Sequence, residues 1–318
     1  MSGNELLTEI AGVPVLWKSD CGYELEKLGK LFKHHVCDNY GNASPHVIEF
    51  KPTFTKVAVP SDAKIRWDGY YVGCFHQKNH VTWFHSAATG LDYLVLSGEM
   101  WVVHDRQAAT TTCYMYCRRT NGRYVERPEF ADPIILLLHT VPAMYHRYTI
   151  HAAAVEIGGQ AHVLVGESGH GKSTLCVDLV AQGANYMGDD IVYLYRDGSR
   201  GTVMVGSLLF EAKLFPPGTK RRKDFFDIVD LYGQRGVKSS PLKGIYYVCR
   251  SKERHSRLER LPAIDAIVRL LRASNNARMQ YDVDEWQQVC QSAATDVPYY
   301  IFRFGDRELL ELSMFENA

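Results

Sequence analysis

"HVLVGESGHGKSTLCVDLVAQGANYMGDDIVYL", residues 162–194, decides the fold. An apolar run ends at Val165 and gives way to Gly166-Glu167-Ser168-Gly169-His170-Gly171-Lys172-Ser173, which fills the eight-position phosphate-loop pattern. Glycines there let successive backbone N–H groups turn inward around phosphate oxygens, and a helix starting at the loop's end directs its positive pole to the same place. Lys172 supplies a mobile cation for β- and γ-phosphates, and the Ser173 hydroxyl is a ligand for Mg²⁺. The contacting stretch is Gly166 through Thr174, with a helix from about Lys172 to Gln182 closed by Gly183.

Gly188-Asp189-Asp190 follows sixteen residues after Ser173 and opens an apolar strand near Asp190. Alone, two adjacent acids before a strand read as a surface turn. Beside a phosphate loop they read differently, because neighbouring carboxylates are both charged and buried only with cations at hand. One can hold the metal while the other accepts a proton from an attacking hydroxyl.

Outward from this centre, "IHAAAVEI" and "QAHVLVG" flank Gly158-Gly159 as the arms of a hairpin. Asp132-Pro133 signals a helix start, and the pattern predicts a helix to about Tyr148. Strands are predicted at 202–209, 244–249 and 299–304, with helices at about 262–273 and 282–294. Residues 1–125 are richer in strands: "YYVGCFH", "HVTWFHS", "DYLVLSG", "EMWVVHD" and "TCYMYCRR" are short, aromatic and β-branched. Asn121-Gly122 suits a two-residue hairpin turn, and Leu25, Leu28, Leu31 and Phe32 have helical spacing. The expected organisation is a β-rich α+β domain at 1–128 and an α/β nucleotide-binding domain with a mixed sheet at 129–318.

Bulk properties narrow the class. In 318 residues, 36 basic and 36 acidic side chains cancel, leaving no global field for nucleic acid or an anionic membrane. Lys220-Arg221-Arg222-Lys223 is too short for a polybasic arm. The amino terminus lacks a signal-peptide pattern, and the longest apolar stretch, 134–144, is too short to cross a bilayer. Eight cysteines without a C-x-x-C pair fit reduced thiols in a cytoplasm. Cys113 and Cys117, four apart on one strand, are too distant for easy chelation.

The segment from Ile150 to Leu194 resembles the nucleotide-binding core of the HPr kinase/phosphorylase family. The order of His151, the loop Gly166–Ser173 and the pair Asp189-Asp190 carries the resemblance. It implies a core related to phosphoenolpyruvate carboxykinase, with ATP and Mg²⁺ as cofactors. It also implies Asp189 as the base towards an acceptor hydroxyl, Asp190 and His151 in support, and the ring-like homo-oligomers of relatives. On its own residues, without the resemblance, His151 reads first as a buried, hydrogen-bonded histidine. The glycine-rich signature "EIRGLG" of bifunctional members is missing. In its place stands "GSLLFEAKLFPPGTKRRKDFF", 206–226, where Glu211 is the candidate substitute metal ligand and Lys213 or Arg221 candidate phosphate contacts.

The leading expectation is a Mg²⁺/ATP-dependent kinase acting on a hydroxyl, a serine of a protein or peptide. A small-molecule acceptor and a non-catalytic ATP-responsive module are the alternatives. The acid pair argues against the module, since a sensor needs no base. Carboxykinase chemistry would need further metal ligands that the chain does not visibly offer.

Overall fold

The computed structural model describes residues 5–19, 22–39, 41, 43–53, 55–72, 78–96, 100–116, 118–120, 123–125, 131–199, 201–214, 224–233, 236–274, 283–305 and 310–317. The chain divides into two compact units, Met1–Tyr145 and His146–Ala318. This division and the one expected from sequence differ by the stretch 129–145.

The first unit is built on an eight-stranded sheet. Its strands are β1 (Glu5–Ile10), β2 (Val13–Ser19), β3 (His46–Thr53), β4 (Lys64–Val72), β5 (Lys78–His85), β6 (Asp92–Leu96), β7 (Met100–Asp105) and β8 (Thr110–Tyr116). Their order is β1-β2-β3-β8-β7-β6-β5-β4. The run 112–119, expected as one strand, divides into β8 and the short β9 (Arg118–Thr120), which pairs antiparallel with β10 (Arg123–Val125). Asn121-Gly122 and Cys117 lie outside the described residues.

β2 and β3 are parallel, so a crossover must join them; α1 (Gly22–Leu31) lies in it. Its apolar spacing does what the sequence implied. Leu25 and Leu28 are buried, as is Phe32 just beyond the helix, and Phe32 stacks on Trp17 at 5.6 Å. On its other side Trp17 stacks on Phe50 at 6.1 Å, while its indole N–H donates to Thr8 Oγ1 at 2.8 Å. That bond satisfies the one polar atom the ring carries into the core.

α2 (Ala131–Ala143) is shorter than predicted. Pro142 brings no N–H to the helical ladder. Met144 and Tyr145 donate three residues back, to Val141 and Pro142, and His146 turns left-handed at φ 60°. The chain is thereby redirected into a strand that opens at Tyr148.

The second unit is α/β. Its strands are β11 (Tyr148–Ile150), β12 (Ala152–Ile157), β13 (Gln160–Val165), β14 (Asn185–Gly188), β15 (Val192–Arg196), β16 (Val203–Ser207), β17 (Glu211–Leu214), β18 (Asp224–Asp227), β19 (Ser239–Arg250), β20 (Arg257–Arg260) and β21 (Tyr299–Phe304). The main sheet runs β11-β15-β16-β19-β13-β12-β14, with β21 pairing β19 and β20. β19 is parallel to both β13 and β21, and the other pairings are antiparallel. β17 and β18 form a separate hairpin.

Helices α3 (Lys172–Ala181), α4 (Ile228–Tyr232), α5 (Ala263–Ala273), α6 (Val283–Asp296) and α7 (Ser313–Glu316) complete the unit. Alternation along the strands divides the core in two. Val163, Val165 and Ile245 pack with Leu270 of α5 and Trp286 and Val289 of α6. Leu164, Tyr246 and Val248 pack with Leu175, Leu179 and Val180 of α3. A sheet buried on both faces needs such near-continuous apolar strands, and burying one leucine of this kind stabilises by about 2 kcal/mol. The end of α3 is fixed by Gly183 at φ 112°, whose N–H reaches Val180 O while that of Ala184 reaches Leu179 O.

Several histidines are buried. Thr111 Oγ1 lies 2.7 Å from both His46 Nε2 and His104 Nδ1. Burial pushes His46, His139 and His162 down to about 4. Between that value and the unfolded value near 6.5 the unfolded chain binds more protons, so stability is full above about 6.5 and is lost as pH falls towards 4. Each histidine contributes up to roughly 3 kcal/mol to this loss. Thermal melts should show Tm falling from pH 7 to pH 5, less steeply in His46→Gln; equal slopes for the two proteins would remove His46 from this account.

Candidate active site

β13 ends at Val165 and the next residue is strained into a glycine-only geometry. Gly166 has φ 147°, and a Cβ there would stand 2.9 Å from the Val248 carbonyl oxygen. The loop therefore presses against the backbone of β19, a contact that only hydrogen at Cα permits. At its far end Gly171, φ 100°, is the N-cap of α3 and offers no side chain to the helix amides. No acid occupies the first turn of α3 either. The positive end of this helix is thus left for an anion.

Within the loop, Glu167, Ser168 and Gly169 are exposed, and Gly166, His170, Gly171, Ser173 and Thr174 are half-buried. His170 Nε2 stands 3.7 Å from Glu167 Oε2.

Lys172 is buried. Its ammonium donates to Gly166 O at 2.9 Å, Glu167 O at 3.3 Å and His151 Nε2 at 3.1 Å. His151 Nδ1 in turn lies 3.0 Å from the Asp190 carbonyl oxygen. A carbonyl only accepts and an ammonium only donates, so these bonds fix His151 with its proton on Nδ1 and its lone pair on Nε2. The backbone N–H of His151 donates to Ala273 O at the end of α5, 2.8 Å away. His151 was expected on a strand; it occupies the bend between β11 and β12, which frees its side chain to reach sideways.

The acid pair also differs in setting from its expected place at a strand opening. β14, a strand not foreseen, ends at Gly188, and β15 begins only at Val192. Asp189 and Asp190 form the turn between them. Asp190 has φ 65°, and Ile191 N–H donates to Asp189 O at 2.8 Å. A non-glycine residue in this region stores roughly 1–3 kcal/mol of backbone strain, a cost that clusters at functional sites. The turn sends Asp190 to solvent and Asp189 inward.

Asp189 Oδ1 accepts from Ser173 Oγ at 3.0 Å. Its Oδ2 is buried with no hydrogen-bond partner among the described residues. Burial, and then the Asp190 charge, raise its pKa to about 6 against the opposing bonds from Ser173 and the Asp190 amide. Behind it, the Cys176 thiol donates to Ala154 O at 3.7 Å and Gly188 O at 4.0 Å. The Ser173 hydroxyl, the exposed Asp190 carboxylate and an uncapped helix end form a donor set that fits a Mg²⁺-nucleotide, and the orphaned Asp189 oxygen is left over beside it.

Glu211 stands on β17, where its carbonyl accepts from Tyr186 Oη at 3.0 Å. This bond ties β17 to β14, the strand that leads into the acidic turn. Lys213 lies on the same strand, and Arg221 lies outside the described residues. One residue at the loop was missed by sequence reading. Arg250, the last residue of β19, brings its Nε within 3.5 Å of a Cβ position on Gly171. Nothing local marks Arg250; only the pairing of β19 with β13 brings it there.

No family model matches the chain. Over 174 residues it is 29% identical to the HPr kinase/phosphorylase of Polaromonas sp. strain JS666, a match covering 53% of each chain. It is 31% identical over 94 residues to the HPr kinase/phosphorylase of Lactobacillus johnsonii, covering 30% of this chain and 28% of the relative. The chain spans about half the length of the first of these relatives. Among solved structures, the Hpr(Ser) kinase/phosphatase from Coxiella burnetii aligns at 16% identity with a TM-score of 0.33, covering 53% of this chain and 94% of that one. The chain is HPr kinase/phosphorylase-like over part of its length.

The raised pKa of Asp189 has a stability consequence. Below about 3.8 the carboxyl is neutral in folded and unfolded chains alike. As pH rises to 6 the unfolded chain ionises first, so the folded state loses up to roughly 3 kcal/mol, in full above pH 6. Asp189→Asn should therefore stabilise the ligand-free protein at pH 7.5, and urea denaturation should show this gain shrinking towards pH 4. A destabilised variant at pH 7.5 would contradict it.

Proposed function

We propose that the chain is a Mg²⁺/ATP-dependent kinase that transfers the γ-phosphoryl group to a hydroxyl, a serine of a protein or peptide. The observation that carries this reading is the buried, unpartnered Oδ2 of Asp189 beside Ser173. A pure nucleotide-binding module has no use for a second carboxylate oxygen kept dry and unbonded at the phosphate loop.

In the proposed reaction the loop amides and the end of α3 receive the β- and γ-phosphates, and Lys172 neutralises them. Mg²⁺ would be held by Ser173 with Asp190 and the substitute ligand Glu211, and would neutralise charge on the phosphoryl oxygens. Asp189 orients the acceptor hydroxyl at Oδ2. The acceptor oxygen forms its bond to the γ-phosphorus as the bond to the β-phosphoryl oxygen breaks, and its proton passes to Asp189. A carboxylate with a pKa near 6 is ionised at neutral pH yet more basic than an ordinary aspartate, which suits a general base. His151 keeps Lys172 directed at the loop through its Nε2 lone pair. The names of the similar proteins support the phosphotransferase class, and the chain's own residues supply the argument for a hydroxyl acceptor.

Incubation with γ-labelled ATP and a host lysate should give acid-stable label on an acceptor, as a phosphoserine does. Asp189→Asn should keep ATP affinity within a few-fold and lose labelling by about 10²-fold or more. Lys172→Ala should weaken both binding and transfer. Tight ATP binding with no transferred label would sink the kinase reading.

A further inference from the structure

We propose that Arg250 is a second cation for the nucleotide's phosphate chain, set on the outer side of the same loop that Lys172 serves from within. The inference rests on the reading that the loop binds a nucleotide. It begins with strand register. Val165, the last residue of β13, pairs in parallel with Tyr247. β19 therefore runs on for three residues alongside the loop while β13 has already ended.

Two of those three residues meet loop glycines. The Val248 carbonyl closes on Gly166, and Arg250 Nε lies 3.5 Å from the Cβ position of Gly171, level with Cδ1 of Phe304. The neighbouring strand fixes this end of β19: Arg250 is opposite Phe304, and Ser251 N–H donates to Phe304 O at 2.9 Å. An exposed arginine at a strand end is ordinarily a solvated charge. This one lies against the glycine that caps α3 rather than extending away from it.

Its neighbours behave otherwise. Arg257 pairs with Glu253 and Arg303 with Glu259, whereas among the described residues no carboxylate pairs with Arg250. Lys172 is buried and shares its three N–H groups with the loop and His151. A phosphate chain laid on the loop amides thus meets a point charge on one side and a planar five-donor fork on the other. The fork is the group suited to two oxygens at once.

The test is titration calorimetry of the full chain with Mg²⁺-ATP and, separately, with inorganic tripolyphosphate. Arg250→Ala should weaken both by about tenfold, equivalent to about 1.4 kcal/mol. Arg250→Gln should match it, and Arg250→Lys should recover part of the loss. Arg254→Ala, which removes an exposed charge from the following loop, should bind as the parent does. Unchanged affinity in both Arg250→Ala and Arg250→Gln would overturn the proposal. So would an equal loss in Arg254→Ala, which indicates a general field, or a loss for ATP but not tripolyphosphate, which indicates a contact with the base. Failure of the parent protein to bind either probe would instead overturn the nucleotide reading itself.

Discussion

The second unit depends on a buried ammonium. Lys172 is removed from water, and such a charge is tolerable only if every N–H finds an acceptor. Two acceptors are carbonyls of the loop that precedes it; the third is an imidazole nitrogen whose availability depends on the Asp190 carbonyl at the other side of the ring. One continuous set of hydrogen bonds therefore runs from the phosphate loop through Lys172 and His151 to the acidic turn. A second link, from Ser173 to Asp189, joins the same two segments. The loop and the turn are held in mutual position by polar bonds at both ends, and the apolar faces of β13 and α3 hold them from beneath.

The strain at Asp190 belongs to the same arrangement. With φ at 65° the turn between β14 and β15 presents its carbonyl to His151 and sends the two carboxylates in different directions. An extended conformation at that residue would break the imidazole contact. Charge supplies a further tension, because Asp189 is buried next to a neighbour of like sign with only partial compensation. Local cost at a position that global packing overdetermines is the usual mark of a site shaped for chemistry rather than for stability.

The loop, α3 and the apolar helix faces were legible because their signals are local: glycines at fixed spacing, a cap, a period of 3.6. Leu25, Leu28 and Phe32 and the Gly158-Gly159 hairpin behaved as their patterns implied. What escaped was set by tertiary pairing. β14 is four residues of ordinary composition, Asn185-Tyr186-Met187-Gly188, and becomes a strand by joining β12. The apolar period runs on from 132 to 148, but Pro142 brings no donor to the ladder and α2 ends at Ala143. At the site, the residue types were legible and their bonding was not: that Ser173 would select Asp189, or that His151 would be steered by a backbone oxygen of Asp190, follows from a turn whose φ no spacing rule reveals. Arg250 lay furthest from view, since its partner glycine is distant in sequence.

The tight approach of Gly166 to Val248 also bears on the order in which the protein is made. The loop and α3 leave the ribosome together with β12 and β13, an antiparallel hairpin able to form at once. The strand that closes over Gly166 comes later, after some seconds of elongation at about 5–20 residues per second. Until β19 inserts beside β13, the loop has a free flank and its β13 partner is an open edge. Translation alone thus keeps the cradle unfinished in the nascent chain, and a polypeptide released early from the ribosome would expose an unpaired, hydrophobic strand to its neighbours.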